Sequence, residues 1–167
     1  MKYCVIFLFA KEKTVMKKIL DKYPQSEDQL IEILLEYQME KDDHYISKED
    51  IVDIASYLHI PESKICSVLS FYSFFSDKPR GKHIIQVCKD VPCYVSSTVD
   101  ILKVIEKELG IRINETTENK QFTLEQTSCL GCCDKSPAMR VNDRIYTHLT
   151  ADKVKAILSE YRVLKSW

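Results

Sequence analysis

The stretch His83-Ile-Ile-Gln-Val-Cys88-Lys-Asp-Val-Pro-Cys93 places two cysteines directly after a run of branched apolar residues. Such residues favour strands, so the run predicts a β-strand that ends at Cys88. A second cysteine cluster, Cys129-Leu-Gly-Cys-Cys133, follows the next strand pattern, Phe122–Gln126. We therefore expect both clusters in loops at strand ends, where backbone amides can point at a bound anion.

The spacing of these cysteines favours a metal site. The chain has seven cysteines, an odd number, and its sequence predicts no export signal, so a disulfide framework is disfavoured. A [2Fe–2S] cluster takes four thiolates, which a Cys-x4-Cys and a Cys-x3-Cys pair supply. Structural zinc and thioredoxin-type dithiols prefer Cys-x2-Cys, a spacing that Cys129 and Cys132 offer but Cys88 and Cys93 do not. On spacing alone the cluster is favoured, and zinc and thiol chemistry remain alternatives.

Composition excludes several classes of protein. The chain has 167 residues, a formal charge of −1 and 45% hydrophobic residues, so it can bury a core and is not disordered. Binding of nucleic acid needs a clustered excess of Lys and Arg, which the near-neutral balance does not supply. The apolar run Tyr3–Ala10 is too short for a membrane span, and a cytoplasmic location is expected.

The N-terminal half predicts a small helical bundle. Ser26 and Gln29 form a capping-box pattern ahead of an apolar face that starts at Leu30. Ser47 begins a second helix, and Pro61 suits the first position of a third.

The third helix of that half runs into the aromatic segment Phe71-Tyr-Ser-Phe-Phe75, which is interpreted mainly as core. Cys66 lies on the same helix and is interpreted as a packed thiol. The turn chemistry of Asp77-Lys-Pro-Arg-Gly81 then ends the helical half.

The C-terminal half alternates strand and helix patterns. The segment Thr98–Leu109 predicts a helix that Gly110 stops, and Thr150 predicts the cap of a final helix. Asn142-Asp143 is a tight-turn signal that predicts a hairpin. Besides the first strand, the strand candidates are Phe122–Gln126, Ala138–Val141 and Arg144–Tyr146. This order describes a compact α/β domain with helices covering a small sheet.

These residues also support a family resemblance. The stretch from about Lys22 to Arg162 resembles the thioredoxin-like [2Fe–2S] ferredoxin subunits of NADH-linked oxidoreductases. That family includes the smaller flavoprotein-associated subunit of complex I and its relatives in NAD(P)-dependent [FeFe]-hydrogenases and formate dehydrogenases. The motifs that carry the resemblance are Phe71-Tyr-Ser-Phe-Phe75, Val87-Cys-Lys-Asp-Val-Pro-Cys-Tyr-Val95, Phe122-Thr-Leu124, and Cys129-Leu-Gly-Cys-Cys-Asp-Lys-Ser-Pro-Ala-Met139 running into Val141-Asn-Asp143.

The resemblance implies a division of the chain and a set of ligands. It implies an uncertain N-terminal extension at 1–21, a helical bundle at 22–78 and a thioredoxin-like [2Fe–2S] domain at 79–167. Cys88 and Cys93 would bind one iron of the cluster, and Cys129 and Cys133 the other. Cys132 is interpreted as a neighbour of the ligands, although it competes with Cys133 for one iron.

The resemblance also implies an electron-transfer subunit without catalytic residues of its own. The sequence has no Gly-x-Gly-x-x-Gly or P-loop signature, so FMN and NAD(P)H are expected on a partner. The expected partners are an FMN- and NAD(H)-binding iron–sulfur flavoprotein subunit and a further catalytic subunit of hydrogenase or formate dehydrogenase type. A soluble hydrogenase or formate dehydrogenase complex is expected first. Complex I, a stand-alone ferredoxin and a zinc-stabilised interaction module are the alternatives.

This chain departs from the family at glycines. The family often has Gly where this chain has Ser97, Asn114, Lys120 and Thr147. Lysine and threonine adopt left-handed backbone only at some strain. The turn near Lys120 is therefore the place where this chain is least expected to keep the backbone conformation of the family.

Overall fold

The computed structural model describes residues 13–163, and these fall into two units divided between Pro79 and Arg80. We call them the helical unit, 13–79, and the sheet unit, 80–163. The expected extension at 1–21 lies partly outside the described residues. Its described part, 13–20, is helix α1, which buries Met16 and Ile19.

The helical unit continues with three more helices around one apolar core. A 3-10 turn at Glu27–Gln29 leads into α2 at Leu30–Glu40, and α3 and α4 follow at Lys48–Leu58 and Glu62–Phe71. The core consists of side chains spaced three and four positions apart on these helices, a spacing that puts them on one face of each helix. Its fully buried members include Ile33, Leu34, Tyr37, Ile54 and Ile65.

The helix starts show which sequence signals the structure uses. Ser47 begins a helix as predicted, and it does so through a capping box: Ser47 Oγ accepts from the Asp50 amide and the Asp50 carboxylate accepts from the Ser47 amide. The capping box predicted at Ser26 is wrong, because the Ser26 hydroxyl donates to Asp28 instead. Pro61 is the residue before α4 and not its first residue.

The aromatic segment is only partly core. Phe75 is buried, and Tyr72 packs against the core of the helical unit. The ring of Phe71 is 80% exposed and that of Phe74 is 43% exposed, so the core interpretation is wrong for these two residues. Cys66 is also exposed, because the preceding residue on α4, Ile65, is the one that points into the core.

The sheet unit contains a five-stranded mixed sheet in the order β2-β3-β1-β4-β5. The central strand β1 runs parallel to β3 and antiparallel to β4, and β4 and β5 form the predicted hairpin. Asn142 in its turn has a φ of 52°. The strands are β1 His83–Cys88, β2 Glu115–Thr116, β3 Phe122–Thr127, β4 Met139–Val141 and β5 Arg144–Tyr146.

Two helices cover one face of this sheet. Helix α6 spans Thr98–Leu109, as predicted, and ends at left-handed Gly110, while α7 spans Ala151–Val163. Alternate strand residues point at these helices and share a core with them. The buried strand residues of that core are Ile85, Val87, Phe122, Leu124, Met139 and Val141. The expected α/β fold class is therefore confirmed.

The sheet unit keeps left-handed backbone at three of the four positions where the family often has glycine. Ser97, Asn114 and Lys120 have φ values of 71°, 65° and 53°, whereas Thr147 has no positive φ. The backbone of the turn near Lys120 is thus left-handed without glycine. A different glycine, Gly81, is required by close approach, because a Cβ there would lie 2.8 Å from the backbone of Phe122.

Candidate metal centre

The first thiol of the site lies at the end of the central strand. Cys88 is the last residue of β1 and is 1% exposed. Its amide donates to the carbonyl of Ala138 at 3.2 Å, and the next amide, of Lys89, donates to the carbonyl of Thr127 at 3.0 Å. These bonds hold the end of β1 against the end of β3 and the segment that precedes β4, so distant parts of the sequence converge at Cys88.

The second thiol lies on a short helix that the sequence patterns did not predict. Helix α5 spans Val91–Val95 and carries Cys93, which is 2% exposed. The expectation of a loop at Cys93 is therefore wrong. The sequence does contain a signal for the start of this helix. Asp90 precedes the helix and Pro92 occupies its first turn, as is common at helix N-termini.

The second pair of thiols lies in the loop after β3. Cys129 Sγ and Cys133 Sγ are 3.2 Å apart, and both residues are exposed. The intervening Gly131 adopts a φ of 79°, which suits glycine, and its amide donates to Cys129 Sγ at 3.4 Å. Cys133 starts a single 3-10 turn, Cys133–Lys135, so this pair lies in a loop as predicted.

The two pairs lie close enough to affect each other's ionisation. Burial raises the pKa of the Cys88 thiol, and Cys93 raises it further, whereas the amides of Asp90 and Leu130 favour the thiolate. Leu130 belongs to the second loop, so its amide joins that loop to the first pair. The hydrogen bond with Cys129 raises the pKa of Cys133 to about 11, and loss of hydration and the charges of the other thiols contribute. We call Cys88, Cys93, Cys129 and Cys133 the four-thiol group.

The four-thiol group has the chemistry that a [2Fe–2S] cluster requires. Four thiols in two pairs match two irons with two thiolate ligands each. Repulsion between neighbouring thiolates adds to the raised pKa values of Cys88 and Cys133, after burial for Cys88 and the hydrogen bond with Cys129 for Cys133. Metal ions remove this repulsion, because a coordinating thiol is deprotonated outright. The amides that face Cys88 and Cys129 are donors of the kind that tune iron–sulfur centres.

The exposed pair of thiols also has a separation that suits one tetrahedral metal ion. Among residues 13–163, no group of three or more His, Cys, Asp or Glu side chains is placed, as it stands, to hold a metal ion. Two thiolates on one tetrahedral zinc, with bonds of about 2.3 Å, lie about 3.8 Å apart. Cys129 and Cys133 are near that separation at 3.2 Å, and the structure pairs them without Cys132.

Cys132 lies beside the four-thiol group without belonging to either pair. It is half-buried and packs against the small buried group of Cys88, Cys93 and Ala138. Its Sγ lies 3.7 Å from the carbonyl oxygen of Leu130. Of the other two cysteines, Cys66 belongs to the helical unit, and Cys4 lies outside the described residues.

Polar groups that the sequence patterns did not predict also contact the thiols. The Cys93 thiol lies 3.6 Å from the hydroxyl of Ser136, which itself donates to the carbonyl of Cys133 at 2.8 Å. Ser136 thereby connects the two cysteine pairs. No sequence signal marks this serine, because the contact depends on how two loops meet.

Exposed apolar side chains flank the first pair of thiols. Val91, Tyr94 and Val95 on α5 are 73%, 63% and 75% exposed, although the cysteine between them is buried. A short helix that buries one thiol and presents large apolar residues to solvent is suited to contact another protein. None of the helices within 13–163 is long and apolar enough to cross a bilayer.

Comparison with known proteins gives a family and several relatives. The thioredoxin-like [2Fe–2S] ferredoxin family matches residues 16–162. The chain is 36% identical over 157 residues to the E-type subunit of NADH-quinone oxidoreductase from Rickettsia felis, covering 93% of this chain and 94% of that protein. It is 35% identical over 156 residues to the protein of the same name from Rickettsia conorii, with 92% and 93% covered.

Solved structures show a similar fold in a larger chain. An NAD+-reducing [NiFe]-hydrogenase in its air-oxidised state aligns with a TM-score of 0.73 at 18% identity, and its H2-reduced state aligns with a TM-score of 0.71. The air-oxidised alignment covers 83% of this chain but only 23% of the hydrogenase chain. At this identity the likeness concerns the fold alone.

Proposed function

Because this chain belongs to the thioredoxin-like [2Fe–2S] ferredoxin family, we propose that it is the electron-transfer subunit of an NADH-linked oxidoreductase complex. We propose the four-thiol group as the ligands of one [2Fe–2S] cluster. The observation that carries this proposal is the convergence of the two loops, in which the Leu130 amide faces Cys88 and Ser136 contacts both pairs. When bound, such a cluster carries one electron at a time.

The protein supplies an asymmetric environment for this cofactor. Cys88 and Cys93 are buried and would keep water from their side of the cluster, whereas Cys129 and Cys133 are exposed. Burial and hydrogen bonds to sulfur are the main means by which a protein sets the potential of an iron–sulfur centre. The amide of Gly131, which donates to Cys129, stabilises negative charge on the exposed side.

The names of the relatives favour one type of complex. Proteins at 36% and 35% identity over nearly their full length are E-type subunits of NADH-quinone oxidoreductases. We therefore place a complex I type of assembly ahead of the soluble hydrogenase or formate dehydrogenase expected first from the sequence. An NAD+-reducing hydrogenase is the second candidate, supported by the fold of its larger chain.

We propose a flavoprotein subunit as the partner that exchanges electrons with this chain. The exposed side chains of Val91, Tyr94 and Val95 lie on the helix that carries Cys93, so a protein that covers them would come close to the cluster. FMN and NAD(H) would belong to that partner, in keeping with the lack of a nucleotide-binding signature here.

The first test is the metal content of the full chain. The protein is purified without oxygen, iron and acid-labile sulfide are assayed, and absorption and EPR spectra are recorded before and after dithionite. We expect two irons and two sulfides per chain and an S = 1/2 signal on reduction. Cys93→Ala should lose both, and the matched control Cys66→Ala, which removes an exposed thiol of the helical unit, should keep both. Colourless protein that contains zinc would refute the proposal.

The second test concerns the partner and the complex. NADH alone should leave the cluster of the isolated chain oxidised, whereas dithionite should reduce it. Reduction by NADH without added protein would contradict the need for a flavoprotein. The tagged chain, purified together with its associated subunits, should support NADH-dependent quinone reduction, while NAD+ reduction by H2 would favour the second candidate.

A further inference from the structure

We propose that Cys132 is a reserve ligand that can replace Cys133 in holding the cluster. This inference rests on the proposed function, because it concerns the same cofactor. The chain brings five thiols to a site that needs four, and the fifth has the position expected of a substitute.

The Cys132 thiol already lies within the site. It packs against Cys88, Cys93 and Ala138, two of which are proposed ligands, and it is only half-buried. Its Sγ approaches the carbonyl oxygen of Leu130 at 3.7 Å. A thiol is a weak donor and this contact is long, so the side chain loses little when it turns away.

Its spacing from Cys129 suits a shared metal. Cys129 and Cys133 form a Cys-x3-Cys pair, and Cys129 and Cys132 form a Cys-x2-Cys pair. The Cys-x2-Cys spacing is common where two cysteines of one loop bind the same metal ion. Either cysteine can therefore complete a pair with Cys129.

The loop has room to change its conformation. The residue before Cys132 is Gly131, and no heavy atom lies within 4 Å of the position that a Cβ would occupy there. The structure after Cys132 is a single 3-10 turn, in which the amide of Lys135 donates to the carbonyl of Cys132 at 3.0 Å. A small rotation of the Cys132 backbone thus meets no neighbouring atom at Gly131 and disturbs one backbone hydrogen bond on the other side.

Within residues 13–163 the first cysteine pair has no spare thiol on its own strand or helix. Every thiol near Cys93 there is a proposed ligand already, apart from Cys132, which lies in the other loop next to Cys133. Loss of Cys93 removes a buried sulfur at a fixed position on α5. We therefore expect the protein to lose more iron when Cys93 is removed than when Cys133 is removed.

The test compares variants of the full chain, expressed and purified without oxygen. Cys133→Ala should keep most of the iron and sulfide of the wild type and show a reduced EPR signal with shifted g values, because the ligand geometry has changed. Cys132→Ala should keep the wild-type signal. The double variant Cys132→Ala/Cys133→Ala and the control Cys93→Ala should lose nearly all iron.

Circular dichroism of each variant and reconstitution with iron and sulfide separate loss of ligand from loss of fold. Iron loss in folded Cys133→Ala as complete as in Cys93→Ala would overturn the inference and leave the proposed function intact. Equal iron and equal spectra in Cys133→Ala and the double variant would also overturn it, because another group would then be the ligand. A wild type without iron and sulfide would refute the proposed function itself.

Discussion

Replacing Lys41 with methionine would leave Asp50 as a buried carboxylate without its cation. Lys41 Nζ donates to Asp50 Oδ2 at 2.9 Å, and the two side chains are only 4% and 10% exposed. Asp50 also accepts from the hydroxyl of Tyr37 and from the amide of Ser47, each at 2.7 Å. The carboxylate therefore connects α2 and α3 at the centre of the helical unit.

The size of the effect follows from this geometry. Unit charges 2.9 Å apart attract by about 6 kcal/mol at an effective dielectric constant of about 20. Much of this attraction offsets the loss of hydration of both groups, and removal of one partner from a buried pair typically costs about 3–5 kcal/mol. Small domains are stable by only about 5–15 kcal/mol, so Lys41→Met should bring the helical unit close to unfolding.

The sign of the pH effect is set by Asp50. Its burial raises the pKa, but the hydrogen bonds from Tyr37, Lys41 and Ser47 together outweigh burial and hold the pKa below its usual value. A carboxylate with a lowered pKa stabilises the fold above about pH 4, and this contribution disappears as pH falls through the pKa of the folded state. The stability difference between wild type and Asp50→Asn should therefore shrink on acidification.

The assay is urea unfolding followed by circular dichroism, with hydrogen exchange to assign the loss to α2 and α3. The double variant Lys41→Met/Asp50→Asn serves as the control, because it removes both charges and should be more stable than Lys41→Met alone. A loss below about 1 kcal/mol in Lys41→Met, typical of an exposed pair, would show that the ion pair does not act as a buried one. Equal stability of the single and double variants would do the same.

Three further comparisons test the fold by the same unfolding assay. Gly81→Ala should cost about 1–3 kcal/mol, because its Cβ would meet the Phe122 backbone at 2.8 Å, and an unchanged urea midpoint would contradict this. Ser97→Gly should stabilise the protein by about 1 kcal/mol, because glycine adopts the left-handed φ of 71° without strain. A loss of stability would show that the Ser97 side chain itself stabilises the fold. Ser47→Ala should cost about 1 kcal/mol as a lost cap, whereas Ser26→Ala should cost less, and the reverse order would refute the capping assignment.

The sequence predicts much of this fold because its signals are local. The spacing of apolar residues and the helix-terminating Gly110 predict α6 with its observed ends. The turn residues Asn142 and Asp143 predict the hairpin of β4 and β5. The spacing of the cysteines predicts two pairs at strand ends, and the structure brings those pairs together. The spacing of apolar residues does not predict helix α5, because five residues are too few to show a helical period. Asp90 and Pro92 nevertheless mark its start.

The exposure of individual side chains could not be predicted in the same way. Phe71 and Phe74 belong to an apolar segment, but of its three phenylalanines Phe75 is the one that is buried. Cys66 lies one position beyond buried Ile65, and one position turns a side chain by about 100° around a helix. Burial depends on the neighbouring helices, which lie far away in the sequence.

Residues within a few positions of one another fix the types of secondary structure, the α/β class and the supply of thiols, so these properties can be predicted without a structure. Tertiary packing places Cys132 against Cys88 and Cys93 and directs the amide of Leu130 at Cys88, and no local pattern predicts either contact. These relations join segments about 40 residues apart, and they arise from the parallel pairing of β1 with β3, which brings the ends of both strands to one edge of the sheet.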